Sequence, residues 1–249
     1  TGEAMAAVKE AVKLEHLELK GLHCHIGSQI FDIDPFEAAA EVMLKFIAQI
    51  KAETGLEIKE LNLGGGFGIK YTQTDKPSDY DCYMERGSEV LKRLAEKYDL
   101  PVPFIYIEPG RSIVGAAGLT LYTVGGIKHI PNVRTYVSID GGMTDNPRYA
   151  LYQSRYEMTI ANKAAQEKTQ AVTVAGKCCE SGDLLGEGIP IQPVEVGDTL
   201  AVFATGAYNY SMSSNYNRVA KPAVVMIKDG ASRVVVKRET LEDIVRNDL

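Results

Sequence analysis

Glu60-Leu-Asn-Leu-Gly-Gly-Gly-Phe-Gly68 is the stretch on which the fold turns. Glu60-Leu-Asn-Leu63 reads as a short buried strand, and it stops against three adjacent glycines whose backbone N–H groups no Cβ obstructs. A helical pattern over roughly 79–98 follows, and then Phe104-Ile-Tyr-Ile-Glu108 reads as another buried strand. Upstream the same step recurs. Met5, Val8 and Val12 stand at helical spacing within 3–16, and Gly21-Leu-His-Cys-His-Ile26 reads as a strand. Asp34 as N-cap, Pro35 in the first turn and Glu37 completing a capping box open the next helix. Its apolar face is Phe36, Ala40, Met43, Ile47 and Ile50, and it ends near Gly55. The order αβαβαβ predicts a parallel sheet.

Past Gly110 the pattern changes to short alternating strands at roughly 118–128, 133–139, 155–162, 170–177, 199–205, 222–228 and 232–238. Asp229-Gly230 between the last two predicts a two-residue hairpin turn. Three strand–helix units cannot close a (β/α)8 barrel, which needs eight strands and about 250 residues. The first strand would be an exposed parallel edge, which natural proteins rarely leave open. The expected class is therefore α/β plus all-β. Residues 1–115 read as the C-terminal part of a (β/α)8 TIM-type barrel, and 116–249 as a β-sandwich or Greek-key β-barrel domain.

Composition narrows the partners. Of 249 residues 45% are hydrophobic and 24% charged, ample for a buried core, and the net charge of −6 comes without any Lys/Arg block. Nucleic acid and membrane surfaces are not expected partners. No apolar run approaches the roughly 20 residues that span a bilayer, and the first residues lack the pattern of a signal peptide, so the expected location is cytoplasmic. Cys24, Cys82, Cys178 and Cys179 share no C-x-x-C spacing and read as reduced thiols, with Cys24 and Cys82 as small buried hydrophobes.

The unusual residues of the α/β part all follow strands, where parallel folds place their sites. His23-Cys-His-Ile-Gly-Ser-Gln29, Gly64-Gly-Gly-Phe-Gly68 and Glu108-Pro-Gly-Arg-Ser112 are three consecutive strand ends converging on one region. The glycine turn lacks both the P-loop and the dinucleotide spacing, yet it would let a phosphate approach backbone amides closely. Ser28 and Arg111 supply a hydroxyl and a guanidinium for the same anion. Glu108 would keep a pyridine nitrogen protonated or pair with an arginine. His23 and His25 alternate and would share one strand face. With only His16 and His129 besides them, no metal set is expected.

The β part adds Gly176-Lys-Cys-Cys-Glu-Ser-Gly-Asp183, a turn suited to proton transfer and ammonium binding, and Ala204-Thr-Gly-Ala-Tyr208, whose phenol could reach an anion. Asp145-Asn-Pro-Arg148 opens a short helix with Arg148 and Tyr152 four apart on one face.

Taken together and in this order, H-I-G-S-Q at 25–29, L-G-G-G-F-G at 63–68, E-P-G-R-S at 108–112, C-E-S-G-D at 179–183 and A-T-G-A-Y at 204–208 resemble the motifs of the fold-type III pyridoxal-phosphate decarboxylases. H-C-H-I-G-S-Q with P-R-Y-A-L-Y at 147–152 is most similar to the branch that acts on diaminopimelate. The resemblance implies a barrel followed by a β domain, pyridoxal 5'-phosphate as cofactor, decarboxylation of meso-diaminopimelate to L-lysine, and a homodimer with shared sites. It implies that His25 stacks on the cofactor ring and Glu108 meets its nitrogen, while Ser28, Gly64, Gly65, Gly66, Gly110, Arg111 and Tyr208 surround phosphate and substrate. Cys179, shielded from solvent, would return a proton to the substrate carbon from the second subunit; Arg111, Arg148, Tyr152, Glu180 and Tyr208 would hold the substrate. Other basic amino acids as substrates, and an inactive fragment keeping only the dimer surface, are the alternatives.

The family carries its cofactor on a lysine at the end of the first barrel strand, in a Y-x-x-K-A-type motif that does not occur in these residues. Lys20 precedes a strand and Lys177 falls in the β part. The expectation is an N-terminally truncated chain, inactive alone.

Overall fold

The computed structural model describes residues 2–249. The chain divides into two compact units, one made of the residues up to Lys70 plus Asp75–Ile113, the other of Tyr71–Thr74 plus Val114–Leu249.

The first unit runs α1 (Glu3–Ala11), β1 (Gly21–His23), α2 (Asp34–Thr54), β2 (Glu60–Asn62), α3 (Tyr80–Lys97), β3 (Phe104–Tyr106) and α4 (Gly110–Val114). The strands form a parallel sheet of order β1-β2-β3. Leu61 of the central strand is fully buried beside Leu44, Ile47 and Ile50 of α2 and Leu91 and Leu94 of α3. The apolar face expected of α2 therefore supplies the core, and Gly55 ends that helix in the left-handed region at φ 74°. Its start differs from expectation. Ile33 takes the N-cap position without a side-chain cap, because the Asp34 and Glu37 carboxylates turn to Arg86 of α3, at 3.1 and 2.5 Å. β3 is an edge, not a buried strand: only Ile105 faces the core, while Phe104 is 66% and Tyr106 43% exposed. β1 stops at His23, so His25 lies in the loop beyond it and does not share a strand face with His23.

The second unit contains β4 (Leu119–Ile130), β5 (Arg134–Ile139), α5 (Arg148–Tyr152), β6 (Met158–Ile160), β7 (Gln170–Ala175), β8 (Leu184–Ile191), β9 (Thr199–Phe203), β10 (Val224–Lys228), β11 (Ala231–Val236) and α6 (Leu241–Val245). Six strands form one sheet of order β6-β9-β4-β5-β7-β8, antiparallel except for β5 with β7. The sheet rolls until its end strands meet. Gln192, just past β8 and 2% exposed, accepts from the Ile160 amide at 2.9 Å and exchanges hydrogen bonds with the Thr159 hydroxyl of β6. Val124, Val137, Ile160, Val174, Leu185, Ile191 and Leu200 fill the interior. β8 lies outside the strands expected from the alternating pattern, which Gly186, Gly188 and Pro190 interrupt. β10 and β11 form the expected hairpin, with Asp229 and Gly230 both left-handed at φ 51° and 75°. Among the described residues no helix is long and apolar enough to cross a membrane.

Candidate functional site

The glycine turn after β2 is built to let three chain segments meet. A Cβ on Gly64 would stand 2.7 Å from the Cys24 carbonyl oxygen, one on Gly65 2.1 Å from that of Glu108, and one on Gly66 2.3 Å from that of Gly27. All are closer than any real Cβ contact, so these glycines bring the loop after β1 and the end of β3 onto the end of β2. Phe67 anchors the turn from behind: it is 5% exposed, stacks on Phe36 at 5.1 Å and meets the edge of Tyr83 at 5.2 Å. Ile30 ties the far side, donating to the Gly66 carbonyl and accepting from the Gly68 amide, each at 2.9 Å.

Polar side chains ring this meeting point. Asn62 donates to Glu108 Oε1 at 2.8 Å while its own Oδ1 accepts from the Gly64 amide at 2.8 Å. His23 Nε2 stands 3.8 Å from the same Glu108 oxygen. The Gly65 amide donates to His25 Nδ1 across a long 3.4 Å, and Arg111 donates to the Ser28 hydroxyl at 2.8 Å. Gly110 donates to the Glu108 carbonyl at 2.9 Å, and nothing lies within 4 Å of its Cβ position. The expected convergence of Ser28, Gly64–Gly66, Glu108, Gly110 and Arg111 is thus present, and Glu108 is held by the Asn62 amide with the His23 imidazole nearby, not by an arginine. The pattern reading missed Asn62; its signal was a polar residue set between Leu61 and Leu63 in an otherwise apolar strand.

A second set of groups lies in the other unit, built around Asp183. This carboxylate is 2% exposed, accepts from the Met143 amide at 2.6 Å and the Cys178 amide at 2.8 Å, and fills the space a Cβ on Gly142 or Gly176 would need. Residues 176–183 close on it, with Gly176 N–H to Asp183 O at 2.8 Å and Asp183 N–H to Glu180 O at 3.1 Å. Cys179 and Glu180 stand exposed on the outside of this loop. In the single chain it is Cys178 that the loop turns inward, while Cys179 stays at its surface. Burial first, then the nearby Asp183, pushes the Cys178 thiol up, so it keeps its proton. Tyr216 donates to Glu180 Oε1 at 2.5 Å.

Arg148 is 6% exposed, donates to the Tyr156 hydroxyl at 2.7 Å and lies over the rings of Tyr71 and Tyr156, at 4.9 and 5.6 Å. Among the described residues no carboxylate lies within ion-pairing distance of it. Tyr152, four residues on, is 64% exposed, so the two do not share one environment. Tyr208 is 44% exposed and left-handed at φ 64°. Cys24 is half-buried with its thiol pushed up by burial, whereas Cys82 is exposed at the surface of α3 and is no core residue. Among the described residues no group of three or more His, Cys, Asp or Glu gathers to hold a metal ion.

Residues 1–115 match the pyridoxal binding domain of the pyridoxal-dependent decarboxylases. Over 248 residues the chain is 51% identical to the diaminopimelate decarboxylase of Bacillus subtilis (strain 168), covering 100% of this chain and 56% of the relative. Over its whole length the chain is similar to the diaminopimelate decarboxylases. A second such enzyme, from Halalkalibacterium halodurans, is 47% identical over 249 residues, and the chain spans 57% of it. The crystal structure of diaminopimelate decarboxylase from M. jannaschii in complex with L-lysine superposes with a TM-score of 0.91 at 36% identity, covering all of this chain and 56% of that one. The chain thus spans little more than half the length of the relatives it matches.

Proposed function

We propose that the protein carries out the pyridoxal-phosphate-dependent decarboxylation of meso-diaminopimelate to L-lysine and carbon dioxide. The residues at the glycine turn fit a phosphate-bearing planar cofactor. Backbone there is bare of Cβ atoms, Arg111 and Ser28 stand together as anion donors, and Glu108 is held by the Asn62 amide with a carboxylate left to meet a ring nitrogen. Bound pyridoxal phosphate would supply an electron-withdrawing ring. Ser28, Gly64, Gly65, Gly66, Gly110, Arg111 and Tyr208 are the residues we assign to its phosphate, His25 to its face and Glu108 to its nitrogen.

The substrate assignment rests on Arg148. A buried guanidinium without a carboxylate partner is costly, and the two tyrosine rings and one phenol around it compensate only in part. A substrate carboxylate would complete it, and diaminopimelate, unlike ornithine or lysine, carries a second one. We assign Arg111, Arg148, Tyr152 and Tyr208 to substrate carboxylates and Glu180 to the distal ammonium. Cys179 Sγ, exposed on its loop, would hand a proton to the substrate carbon once carbon dioxide has left, with Cys178 kept as a thiol behind it. That exposure suits delivery to a site on a second copy, hence a homodimer. The four cysteines form no disulfides, as the reducing cytoplasm would keep them.

No lysine follows a strand of the three-stranded sheet directly; Lys20 and Lys59 precede β1 and β2. Residues 1–249 by themselves should therefore show no turnover. Extended to the length of its relatives and supplied with pyridoxal phosphate, the protein should release lysine and carbon dioxide from meso-diaminopimelate. Equal turnover of lysine or ornithine would overturn the assignment.

A further inference from the structure

Glu180 sits at the outside of a loop whose backbone is fixed but whose own side chain, flexible and exposed, has no reason of its own to keep one orientation. The Tyr216 phenol supplies one. Its ring is rigid and 40% exposed, and its hydroxyl donates to Glu180 Oε1. The segment that carries it is held at a cost. Asn217 and Arg218 are consecutive left-handed residues, at φ 52° and 54°, a conformation that Arg rarely adopts. The Arg218 amide closes the turn onto Asn215 O at 2.8 Å, and the Asn215 side chain bonds Val219 O at 3.1 Å.

Both partners hang on the same short turn. Ser214, two residues before Tyr216, donates its amide to Thr144 O at 2.8 Å, and the neighbouring Met143 amide is bound by Asp183, which closes the loop of Glu180. The turn over 142–145 thus sets the distance between the phenol and the carboxylate. One oxygen of Glu180 is occupied by Tyr216, and the other is left for a cation.

We propose that Tyr216 is a positioning residue that holds the Glu180 carboxylate in the orientation in which it takes the primary ammonium at the far end of a linear amino-acid substrate. This rests on the assignment of Glu180 to that ammonium. Acting through Glu180 alone, Tyr216 tunes substrate affinity and leaves the bond-breaking end of the substrate untouched.

The test uses the protein at the length of its relatives, loaded with pyridoxal phosphate, and follows decarboxylation of meso-diaminopimelate. Tyr216→Phe keeps the ring and its packing; it should raise KM about threefold to tenfold, as befits one exposed charge-assisted hydrogen bond, with a smaller change in kcat. Glu180→Gln should raise KM further, and the double variant should be no worse than Glu180→Gln alone. With 2-aminopimelate, which lacks the distal ammonium, wild type and Tyr216→Phe should be equal. Additive losses in the double variant, or an unchanged KM in Tyr216→Phe where Glu180→Gln raises it, would overturn the positioning role while sparing the assignment of Glu180. An unchanged KM in Glu180→Gln would overturn both.

Discussion

Asn62 donates its side-chain amide to Glu108 across the ends of β2 and β3, at 2.8 Å. Because the same side chain accepts from the Gly64 amide, one residue sets both the carboxylate and the start of the glycine turn. Asn62→Asp would place a second negative charge against Glu108 and remove its donor. In the protein at its relatives' length, retention of pyridoxal phosphate through dialysis should fall about tenfold, a loss of roughly one charged hydrogen bond. Undiminished retention would show that Glu108 needs no such support.

Gly65 and Gly110 flank Glu108 and should respond oppositely to an added methyl. Gly65→Ala drives a Cβ into the Glu108 carbonyl and should cost about 3 kcal/mol in denaturant unfolding. Gly110→Ala, at an open position that opens α4, should stay within about 0.5 kcal/mol. Similar costs for both would mean that the strand ends are not packed as described.

Asp183→Asn exchanges a carboxylate oxygen facing an amide N–H for a second donor. Either Met143 or Cys178 then loses its acceptor inside the protein, at a cost of about 2 kcal/mol. The loop that presents Cys179 should loosen, so kcat should fall by more than KM rises. A variant with unchanged stability and kcat would remove Asp183 from any part in the site.

Tyr122 donates to Asp145, and both are buried. Burial, then the Asp145 charge, holds the phenol well above the ordinary tyrosine value. A folded-state pKa above that of the unfolded chain means stability that is complete below about pH 10, the unfolded tyrosine value, and is lost as pH rises beyond it. Asp145 is also raised, chiefly by burial, so its contribution likewise fades with rising pH, in the acid range above the ordinary aspartate value. Unfolding measured across the alkaline range should steepen in wild type and flatten in Tyr122→Phe. An equally steep decline in the variant would assign the effect to other tyrosines.

Much of this architecture was legible in the sequence because side-chain period and turn chemistry act locally. The apolar face of α2, the Gly55 stop and the Asp229-Gly230 turn needed no knowledge of distant residues. What failed depended on tertiary partners. Arg86 drew Asp34 and Glu37 away from the helix cap, and the Tyr106 and Phe104 rings of β3 lie exposed although their run is apolar. β8 is a strand despite Gly186, Gly188 and Pro190, since its neighbour β7 and the interior residues Leu185 and Ile191 outweigh those breakers. In the site, motifs marked the glycines, Ser28 and Arg111. Asn62 stood out only as a polar residue in an apolar strand, and its partner Glu108, like the Glu180 partner of Tyr216, lies far along the chain, while the inward turn of Cys178 depends on how the short loop closes on Asp183.

The bond from Ile160 to Gln192 closes the six-stranded sheet through one side chain, where every other junction is a backbone ladder. Amide exchange should therefore find its first opening there. The Ile160 hydrogen would swap with solvent deuterium ahead of those along β4 and β9, and a Gln192→Ala chain would breathe along that seam while the ladders stay shut.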